Sequence, residues 1–354
     1  MLLADIGEEG QRRLAQSHAM LVGCGALGCV CADLLARAGV GRLTIIERDI
    51  VELSNLQRQT LFDERHAKAA LPKAEAAKQR LEEINSDVHV DAVIASFSHE
   101  NAERLAGLDS TTPPGATGVS PVPDVLIDAT DNFETRLLLN DLAVKHNRAL
   151  CYAGVLGTLA TQATFLAGGR PCLRCLMPTA PSPGTMATCD TAGVFSPAVA
   201  IVAACQASDA IKILLGREDR VSRTLLSFDL WTNERRRIDL SSLASETCVC
   251  CAILRFEYLA GEGAPIIERL CGQNATQVRP SGTARLDMPA LADRLKRVGQ
   301  VTANKFLIRC TLLHERGDAG EPVEITVFAD GRALVKGLME HAAAKSIYAR
   351  YIGA

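Results

Sequence analysis

Residues 19–39 read AMLVGCGALGCVCADLLARAG, a compact apolar strand followed directly by glycines and an apolar helix. Gly23, Gly25 and Gly28 form the pattern Gly-x-Gly-x-x-Gly where the strand ends and the helix begins. In this pattern the first glycine permits a tight turn, the second lets the backbone approach a phosphate, and the third lets the helix pack on the strand. The phosphate then lies on the positive N-terminus of the helix. The stretch therefore predicts a nucleotide-binding turn.

The following residues extend this unit into a parallel sheet. A second buried strand at 42–47, RLTIIE, ends in Glu47, which is placed to accept hydrogen bonds from ribose hydroxyls. Strand, helix and strand at this spacing pair in parallel through a right-handed crossover. Further strands are predicted at 88–97 and 124–130, and helices at 73–85 and 196–216. We therefore predict an α/β fold with a doubly wound, mostly parallel, Rossmann-like sheet.

The pattern of predicted strands and helices changes near residue 264. From there it predicts one strand at 267–278, a helix at 288–298, and then further strands and a final helix. A segment of roughly 90 residues is large enough to be a domain. We expect residues 1–255 to form the nucleotide-binding domain and residues 264–354 to form a small α+β module. The loop at 109–123 is rich in proline, glycine, serine and threonine, which is typical of a surface insertion.

Composition narrows the functional classes. The formal net charge of −3 over 354 residues disfavours nucleic acid and anionic membrane surfaces as main partners. We see no run of about 18 apolar residues, so no membrane partner is expected. The thirteen cysteines are clustered, which suits a reducing compartment rather than a disulfide scaffold. We therefore expect a cytoplasmic protein.

Two Cys-x-x-Cys pairs predict a metal centre. Cys172 and Cys175 lie in PCLRC, and Cys248 and Cys251 lie in CVCC. Four thiolates in two such pairs suit one tetrahedral Zn²⁺, and a closed site of this kind stabilises a fold rather than reacting. Cys250 is a third sulfur in the second pair, so spacing alone leaves open which two of the three bind the metal. Buried apolar cysteines or disulfides are the alternative.

A set of polar residues after the glycine turn argues against a nicotinamide ligand. Asn55, Arg58 and Lys73 lie beyond Glu47, and an NAD-dependent oxidoreductase has no need of them. Two cations aimed at phosphates suit a reaction in which a phosphate bond breaks. Asp131 follows a buried strand whose end lies at the ligand-binding edge of the sheet, where a carboxylate holds Mg²⁺ among triphosphate oxygens. The alternative is that the cations are solvated and that Asp131 caps a helix.

Taken together, these motifs resemble the ThiF/MoeB/HesA family, the prokaryotic relatives of ubiquitin-activating enzymes. The resemblance spans residues 3–252 and rests on the segments GCGALGCVCADLLARAGVGRLTIIERDIVELSNLQRQTLF, LPKAEAAKQRLEEIN, DATDNFETR, PCLRC, TCDTAGVFSP and CVCC. It implies an ATP-dependent adenylyltransferase that activates the C-terminal glycine of a ubiquitin-like sulfur-carrier protein of ThiS or MoaD type, with a Gly-Gly terminus, and releases pyrophosphate. It also implies sulfur transfer for thiamine or molybdenum-cofactor synthesis, and a homodimer.

The resemblance implies roles residue by residue. Gly25 would contact the nucleotide and Glu47 the ribose, where the family usually has aspartate. Asp131 matches the Mg²⁺ ligand, and the four paired cysteines match the zinc ligands. Catalysis would depend on Arg58, Lys73, Asp131 and Cys189. The full set of expected nucleotide-binding residues is Gly23, Gly25, Gly28, Glu47, Asp49, Asn55, Gln57, Arg58, Lys73, Asp131 and Asn132.

Two features depart from the family. Its members normally begin with an Arg-Tyr-x-Arg-Gln stretch whose arginine reaches the ATP of the neighbouring subunit, whereas this chain begins MLLADIGEEGQ. The module at 264–354 lacks a rhodanese-type cysteine loop and resembles tails appended to some members. The missing arginine keeps a weakened scaffold of the same fold as an alternative. An NAD-dependent oxidoreductase with the same glycine pattern and a related enzyme that activates a tRNA-base carboxylate are further alternatives. Cys189 lies where members keep a cysteine in a crossover loop, with either a covalent role or none.

Overall fold

The computed structural model divides the chain into two compact units, residues 1–264 and 265–354. The described residues are 3–109, 121–181, 192–262, 269–270, 275–278, 286–329, 331–338 and 340–353. Most of the predicted insertion at 109–123 lies outside them.

The first unit is built on an eight-stranded sheet in the order β3-β2-β1-β4-β5-β6-β7-β8. Its strands are β1 His18–Val22, β2 Arg42–Ile46, β3 His89–Val93, β4 Val125–Asp128, β5 Ala149–Leu156, β6 Leu159–Phe165, β7 Thr224–Asp229 and β8 Glu234–Asp239. The pairs from β3 to β5 are parallel, and those from β5 to β8 are antiparallel. The predicted doubly wound, mostly parallel sheet is confirmed.

Helices cover both faces of this sheet. They are α1 Gly7–Gln16, α2 Ala26–Ala38, α3 Glu64–Lys68, α4 Lys73–Ile84, α5 Ala102–Leu105, α6 Phe133–Lys145, α7 Leu173–Leu176 and α8 Ser196–Leu214. Along β1 the side chains alternate, so that Leu21 joins the core formed with α2, α4 and α8. Met20 joins the opposite core, to which α6 contributes Leu137 and Leu142. The alternation explains why β1 reads as a continuous apolar run, since both of its faces are buried.

Helix α8 is the predicted apolar helix of the first unit. By length and composition it is the one helix among the described residues that could cross a membrane, but 56% of the tested window is buried inside the protein. It lies against β5, β6 and α2. Gln206 on this helix is fully buried and donates hydrogen bonds to the carbonyl oxygens of Asp128 at 2.7 Å and Cys151 at 2.9 Å. These bonds fasten α8 to the sheet as a core element.

The second unit is the predicted small α+β module. Its strands are β9 Arg269–Leu270, β10 Ala275–Val278, β11 Gly299–Ala303, β12 Leu307–Arg316, β13 Pro322–Phe328 and β14 Ala333–Lys336, and its helices are α9 Met288–Leu295 and α10 His341–Tyr351. The strands form an antiparallel sheet in the order β11-β12-β13-β14-β10-β9. Both helices pack on one face, where Leu295 and Ile347 join a core with Ile325 and Val335.

One prediction within this unit is wrong, and one strand was not predicted. The single strand predicted at 267–278 is instead two short strands, β9 and β10, which pair with each other in antiparallel fashion. Strand β11, whose sequence is GQVTA, was missed because it is short, largely polar and half exposed. Its position is fixed by pairing with β12 and not by an apolar pattern of its own.

The glycine turn after β1 is in backbone contact with the chain after β4. Gly23 has φ +94°, and a Cβ there would lie 2.5 Å from the carbonyl oxygen of Ala129. A Cβ on Gly28 would lie 2.3 Å from the carbonyl oxygen of Gly23. A Cβ on Gly25 would instead meet only the Nε2 of Gln59, at 3.9 Å. Gly23 and Gly28 are therefore required by packing, whereas Gly25 leaves open space.

This contrast makes a prediction about stability. Gly28→Ala should lower the free energy of unfolding by about 1–3 kcal/mol, because the new methyl group meets backbone that cannot move aside. Gly25→Ala, the matched control, should lower it by about 1 kcal/mol or less, which is the usual effect of replacing glycine at a helix N-cap. Thermal unfolding followed by circular dichroism measures both. Equal losses would contradict the packing argument.

Candidate functional site

The candidate nucleotide site lies where the strand order reverses. Val22 pairs with Ile46 on one side and with Asp128 on the other. The residues that follow these three, Gly23, Glu47 and Ala129, therefore begin loops at the same edge of the sheet. In open α/β sheets ligands bind at this edge, at the point where neighbouring strands connect in opposite directions.

Glu47 ties the glycine turn to the loop after β2. Its Oε2 accepts a hydrogen bond from the backbone N–H of Cys24 at 2.8 Å. Its Oε1 accepts from the backbone N–H groups of Arg48 at 2.6 Å and Asp49 at 2.9 Å. The sequence predicted a ribose acceptor at this position. In the structure the same carboxylate also holds both loops in place. The glutamate side chain, which is longer than that of the aspartate usual in the family, can do so from the end of β2.

Lys73 begins α4 and is almost entirely buried, with 4% of its surface exposed. Its Nζ lies 3.3 Å from Oδ2 of Asp49, and its backbone N–H donates to the carbonyl oxygen of Asp49 at 2.8 Å. Burial lowers the pKa of this ammonium, but the carboxylates of Asp49, Glu47 and Asp131 outweigh burial and raise the pKa above its ordinary value. The structure thus holds a permanent positive charge among these three carboxylates.

The segment SNLQR, residues 54–58, begins within a short 3-10 helix, Leu53–Asn55. Asn55 is buried, and its Oδ1 accepts a hydrogen bond from the backbone N–H of Glu52 at 3.2 Å. Gln57 is exposed. Arg58 is half-buried, and its Nη1 donates to the carbonyl oxygen of Ser54 at 3.2 Å. Within the part of the chain that the structure describes, no carboxylate pairs with Arg58, so its charge is available to an anionic ligand.

Asp131 lies exposed in the turn between β4 and α6. The suggestion that it caps the helix is wrong, because the cap of α6 is Asn132, whose Oδ1 accepts a hydrogen bond from the backbone N–H of Thr135 at 2.8 Å. Asn132 therefore has a structural role as the helix cap, in addition to the nucleotide contact predicted for it. The Asp131 carboxylate is left at the surface of the site, where it can take a hard cation.

Gln59 is a candidate residue that the sequence analysis missed. It is 3% exposed, its Oε1 is buried without a hydrogen-bond partner among the described residues, and its Nε2 lies nearest to the open space at Gly25. A buried amide oxygen without a partner is uncommon and needs an explanation, such as an absent ligand or water. The sequence analysis did not identify Gln59, because the motif that it used ends at the preceding residue, Arg58. The open space at Gly25 and the helix N-terminus behind it fit a phosphate group.

The four paired cysteines converge, as predicted. The Sγ atoms of Cys172, Cys175, Cys248 and Cys251 all lie within 4.8 Å of one another. Across the two pairs, Cys172 and Cys248 are 3.8 Å apart, and Cys175 and Cys251 are 3.5 Å apart. Sulfur atoms on a tetrahedron with metal–sulfur bonds of ~2.3 Å are about 3.8 Å apart. The donor set and its spacing therefore fit a structural metal ion.

The structure also decides which sulfurs of CVCC belong to this group. Cys250 is fully buried outside it, where its Sγ accepts a hydrogen bond from Nδ2 of Asn140 at 3.2 Å. The Oδ1 of Asn140 accepts from the backbone N–H of Leu173 at 2.8 Å. One buried amide on α6 thus holds both cysteine segments. The next residue, Asp141, accepts from the backbone N–H of Tyr258 at 2.8 Å and fixes the chain after the second pair.

Cys189 falls within 182–191, outside the described residues, and its covalent role stays a prediction.

The fold and the site define a class of protein, a doubly wound α/β nucleotide-binding protein with a separate four-cysteine centre. Comparisons with known proteins agree. The ThiF family matches residues 1–250, and the chain belongs to this family. The chain is an adenylyltransferase, as are the relatives named below.

Two relatives and one solved structure define the likeness. The sulfur carrier protein ThiS adenylyltransferase of Bacillus subtilis is 42% identical over 353 residues, covering 99% of this chain and 97% of the relative. The adenylyltransferase and sulfurtransferase MOCS3 of Aedes aegypti is 36% identical over 250 residues, covering 71% of this chain and 54% of the relative. The crystal structure of Escherichia coli MccB with ATP has a TM-score of 0.56 at 20% identity, covering 68% of each chain, which shows a shared fold.

Gly25 allows a prediction about nucleotide binding. Gly25→Ala should weaken ATP binding by at least about tenfold, because the methyl group fills the space through which the backbone approaches a phosphate. Equilibrium binding of a fluorescent ATP analogue measures this loss. AMP binding to the same variant serves as a comparison. An unchanged ATP affinity in a folded variant would place the phosphates elsewhere.

Asn140 allows a prediction about the metal. Asn140→Ala should weaken Zn²⁺ binding roughly 10- to 100-fold, because Asn140 holds the two segments that carry the ligands, and groups that orient metal ligands usually have effects of this size. Competition with a chelating dye measures the affinity. Asn140→Asp keeps the acceptor for Leu173 but loses the donor to Cys250. Its Zn²⁺ affinity should lie between that of the wild type and that of Asn140→Ala. A variant that is less stable but binds Zn²⁺ normally would show that Asn140 only packs.

Proposed function

We propose that this chain adenylates the C-terminal glycine of a ubiquitin-like sulfur-carrier protein with ATP and releases pyrophosphate. The observation that carries the proposal is the similarity along the whole chain to a ThiS adenylyltransferase, 42% over 353 residues. The site supports it with a buried lysine, an arginine without a carboxylate partner among the described residues and an exposed aspartate, in addition to the open space at Gly25. The oxidoreductase alternative is not supported, because both relatives are adenylyltransferases.

The reaction is a substitution at the α-phosphorus. A carboxylate oxygen of the carrier's last glycine forms a bond to that phosphorus, the bond to the β-phosphate oxygen breaks, and pyrophosphate leaves with the electron pair. The attacking carboxylate is already ionised, so no protein base is required. The difficulty is the approach of one anion to another, which positioned cations relieve. Arg58 and Lys73 supply two of these cations.

We infer that Asp131 holds Mg²⁺ on the phosphates. A single exposed carboxylate beside bound phosphates is the usual way in which proteins take this ion, which keeps several waters. Glu47 would accept the ribose hydroxyls with lone pairs that its three amide bonds leave free. Asp49, whose carboxylate contacts Lys73, would hold that ammonium in place. Gly23, Gly25, Gly28, Asn55, Gln57 and Asn132 complete the proposed nucleotide site.

We propose that the four-cysteine group holds Zn²⁺ as a structural ion. Four thiolates fill the tetrahedral coordination of Zn²⁺, so the site has no open position for chemistry. Cys189, the thiol proposed to form a covalent intermediate, is not one of these four cysteines and lies in another segment of the sequence. We further propose that residues 1–255 form the ATP-binding adenylyltransferase domain, and that the chain acts as a homodimer.

The carrier is proposed to be of ThiS type. The ThiS adenylyltransferase matches this chain over 353 residues, through the C-terminal unit, whereas the MOCS3 relative matches 250. A carrier of MoaD type, which would serve molybdenum-cofactor synthesis, is the second candidate. Both relatives are named adenylyltransferases, so the proposed chemistry is the same in either case.

Mass spectrometry tests the proposal. The chain is incubated with ATP, Mg²⁺ and purified carriers of both types, and an acyl-adenylate on the carrier is expected. Arg58→Ala and Asp131→Ala should each lower its rate of formation by about 10²–10³-fold, the usual effect of removing one electrostatic contact to a transition state.

Arg80→Ala is the matched control. Arg80 is an exposed arginine on α4, paired with Glu83 at 2.9 Å, and its loss should leave the rate unchanged. No adduct with either carrier, or normal rates in both site variants, would overturn the assignment.

A further inference from the structure

A buried ion pair lies beneath the turn that carries Asp131. Asp128 ends β4 and is fully buried, and Arg136, in the first turn of α6, is 8% exposed. Oδ2 of Asp128 lies 3.4 Å from Nε of Arg136. A buried pair of this kind adds little net stability, because removing both charges from water offsets their attraction. Its presence therefore calls for a geometric explanation.

Both partners hold Thr130, the residue before Asp131. Oδ1 of Asp128 accepts hydrogen bonds from the backbone N–H of Thr130 at 3.0 Å and from its Oγ1 at 2.7 Å. Nη2 of Arg136 donates to the carbonyl oxygen of Thr130 at 2.8 Å. That carbonyl belongs to the planar peptide group that continues into Asp131. The arginine therefore fixes the plane from which the Asp131 side chain leaves the backbone.

Arg136 is itself held on several sides. Its guanidinium lies 5.5 Å from the ring centre of Phe133 and 5.2 Å from that of Tyr152. Nη2 also reaches the carbonyl oxygen of Ala153 on β5, at 3.4 Å. A planar fork with several donors can serve a carboxylate and two carbonyl oxygens at once, which a lysine ammonium cannot do in the same geometry.

We propose that Arg136 is a positioning residue that aims the Asp131 carboxylate at the Mg²⁺ of the bound nucleotide. The inference deepens the proposed function and rests on it. The contacts of Arg136 with Asp128 and with the Thr130 carbonyl oxygen would act on the nucleotide site through Asp131. Asn132 caps α6 in its place, so the Asp131 side chain has no helix-capping bond to hold it. Its direction then depends on the peptide group that Arg136 holds.

The test is the Mg²⁺ dependence of nucleotide binding. In Arg136→Met, the Mg²⁺ concentration that gives half-maximal binding of a fluorescent ATP analogue should rise roughly 10- to 100-fold, as for other residues that orient a metal ligand. Binding without Mg²⁺ should be unchanged. Asp131→Asn should give the same shift, and the double variant should shift no further, since the two residues act in series. Arg136→Lys, which keeps the charge, should recover only part of the effect.

Arg332→Met is the matched control. Arg332 is another buried arginine, 3% exposed and 3.9 Å from the ring centre of Phe328, in the C-terminal unit. Its loss should reduce stability without moving the Mg²⁺ midpoint. A normal midpoint in folded Arg136→Met or Arg136→Lys, or shifts that multiply in the double variant, would overturn the proposal. Failure of the wild-type chain to adenylate a carrier would instead reject the proposed function and leave the binding result intact.

Discussion

The site depends on one close approach, that of the backbone after β1 to the backbone after β4. Only a glycine at position 23 can stand against the carbonyl oxygen of Ala129 at this distance. The contact brings two loops from opposite sides of the strand reversal into register. The Glu47 carboxylate then adds the loop after β2 by binding amides of two segments. Three loops are thus fixed before any ligand arrives, which is the preorganisation that electrostatic catalysis requires.

The fold could be predicted from sequence because its signals are local. The apolar run of β1, the glycine pattern and the following strand lie within about one βαβ unit and leave few arrangements. The strand pair β9 and β10 was read as one strand, because both strands are short and lie close together in the sequence. Strand β11 has no pattern of its own to detect, since its partner β12 determines its place.

The site could be predicted only in part, because its decisive contacts join residues far apart in the chain. Lys73 was recognised as a cation, but its burial against Asp49 depends on the tertiary fold. Asp131 and Asn132 are neighbours that both suit a helix cap, and sequence alone could not choose between them. Cys250 posed the same difficulty among three nearby sulfurs. In the structure Cys250 is not among the four sulfurs that converge, and it contacts Asn140.

Helix α6 contributes to both the candidate nucleotide site and the four-cysteine group. It begins next to Asp131, carries Asn140 two turns later, and is 13 residues long. At a rise of ~1.5 Å per residue, such a helix is a rod of about 20 Å. Its first turn contains Arg136, which binds the carbonyl oxygen of Thr130, and its middle contains Asn140, which contacts both cysteine segments. One helix therefore connects the four-cysteine group with the candidate nucleotide site, and we expect a tilt of this helix at one end to move the residues at the other end.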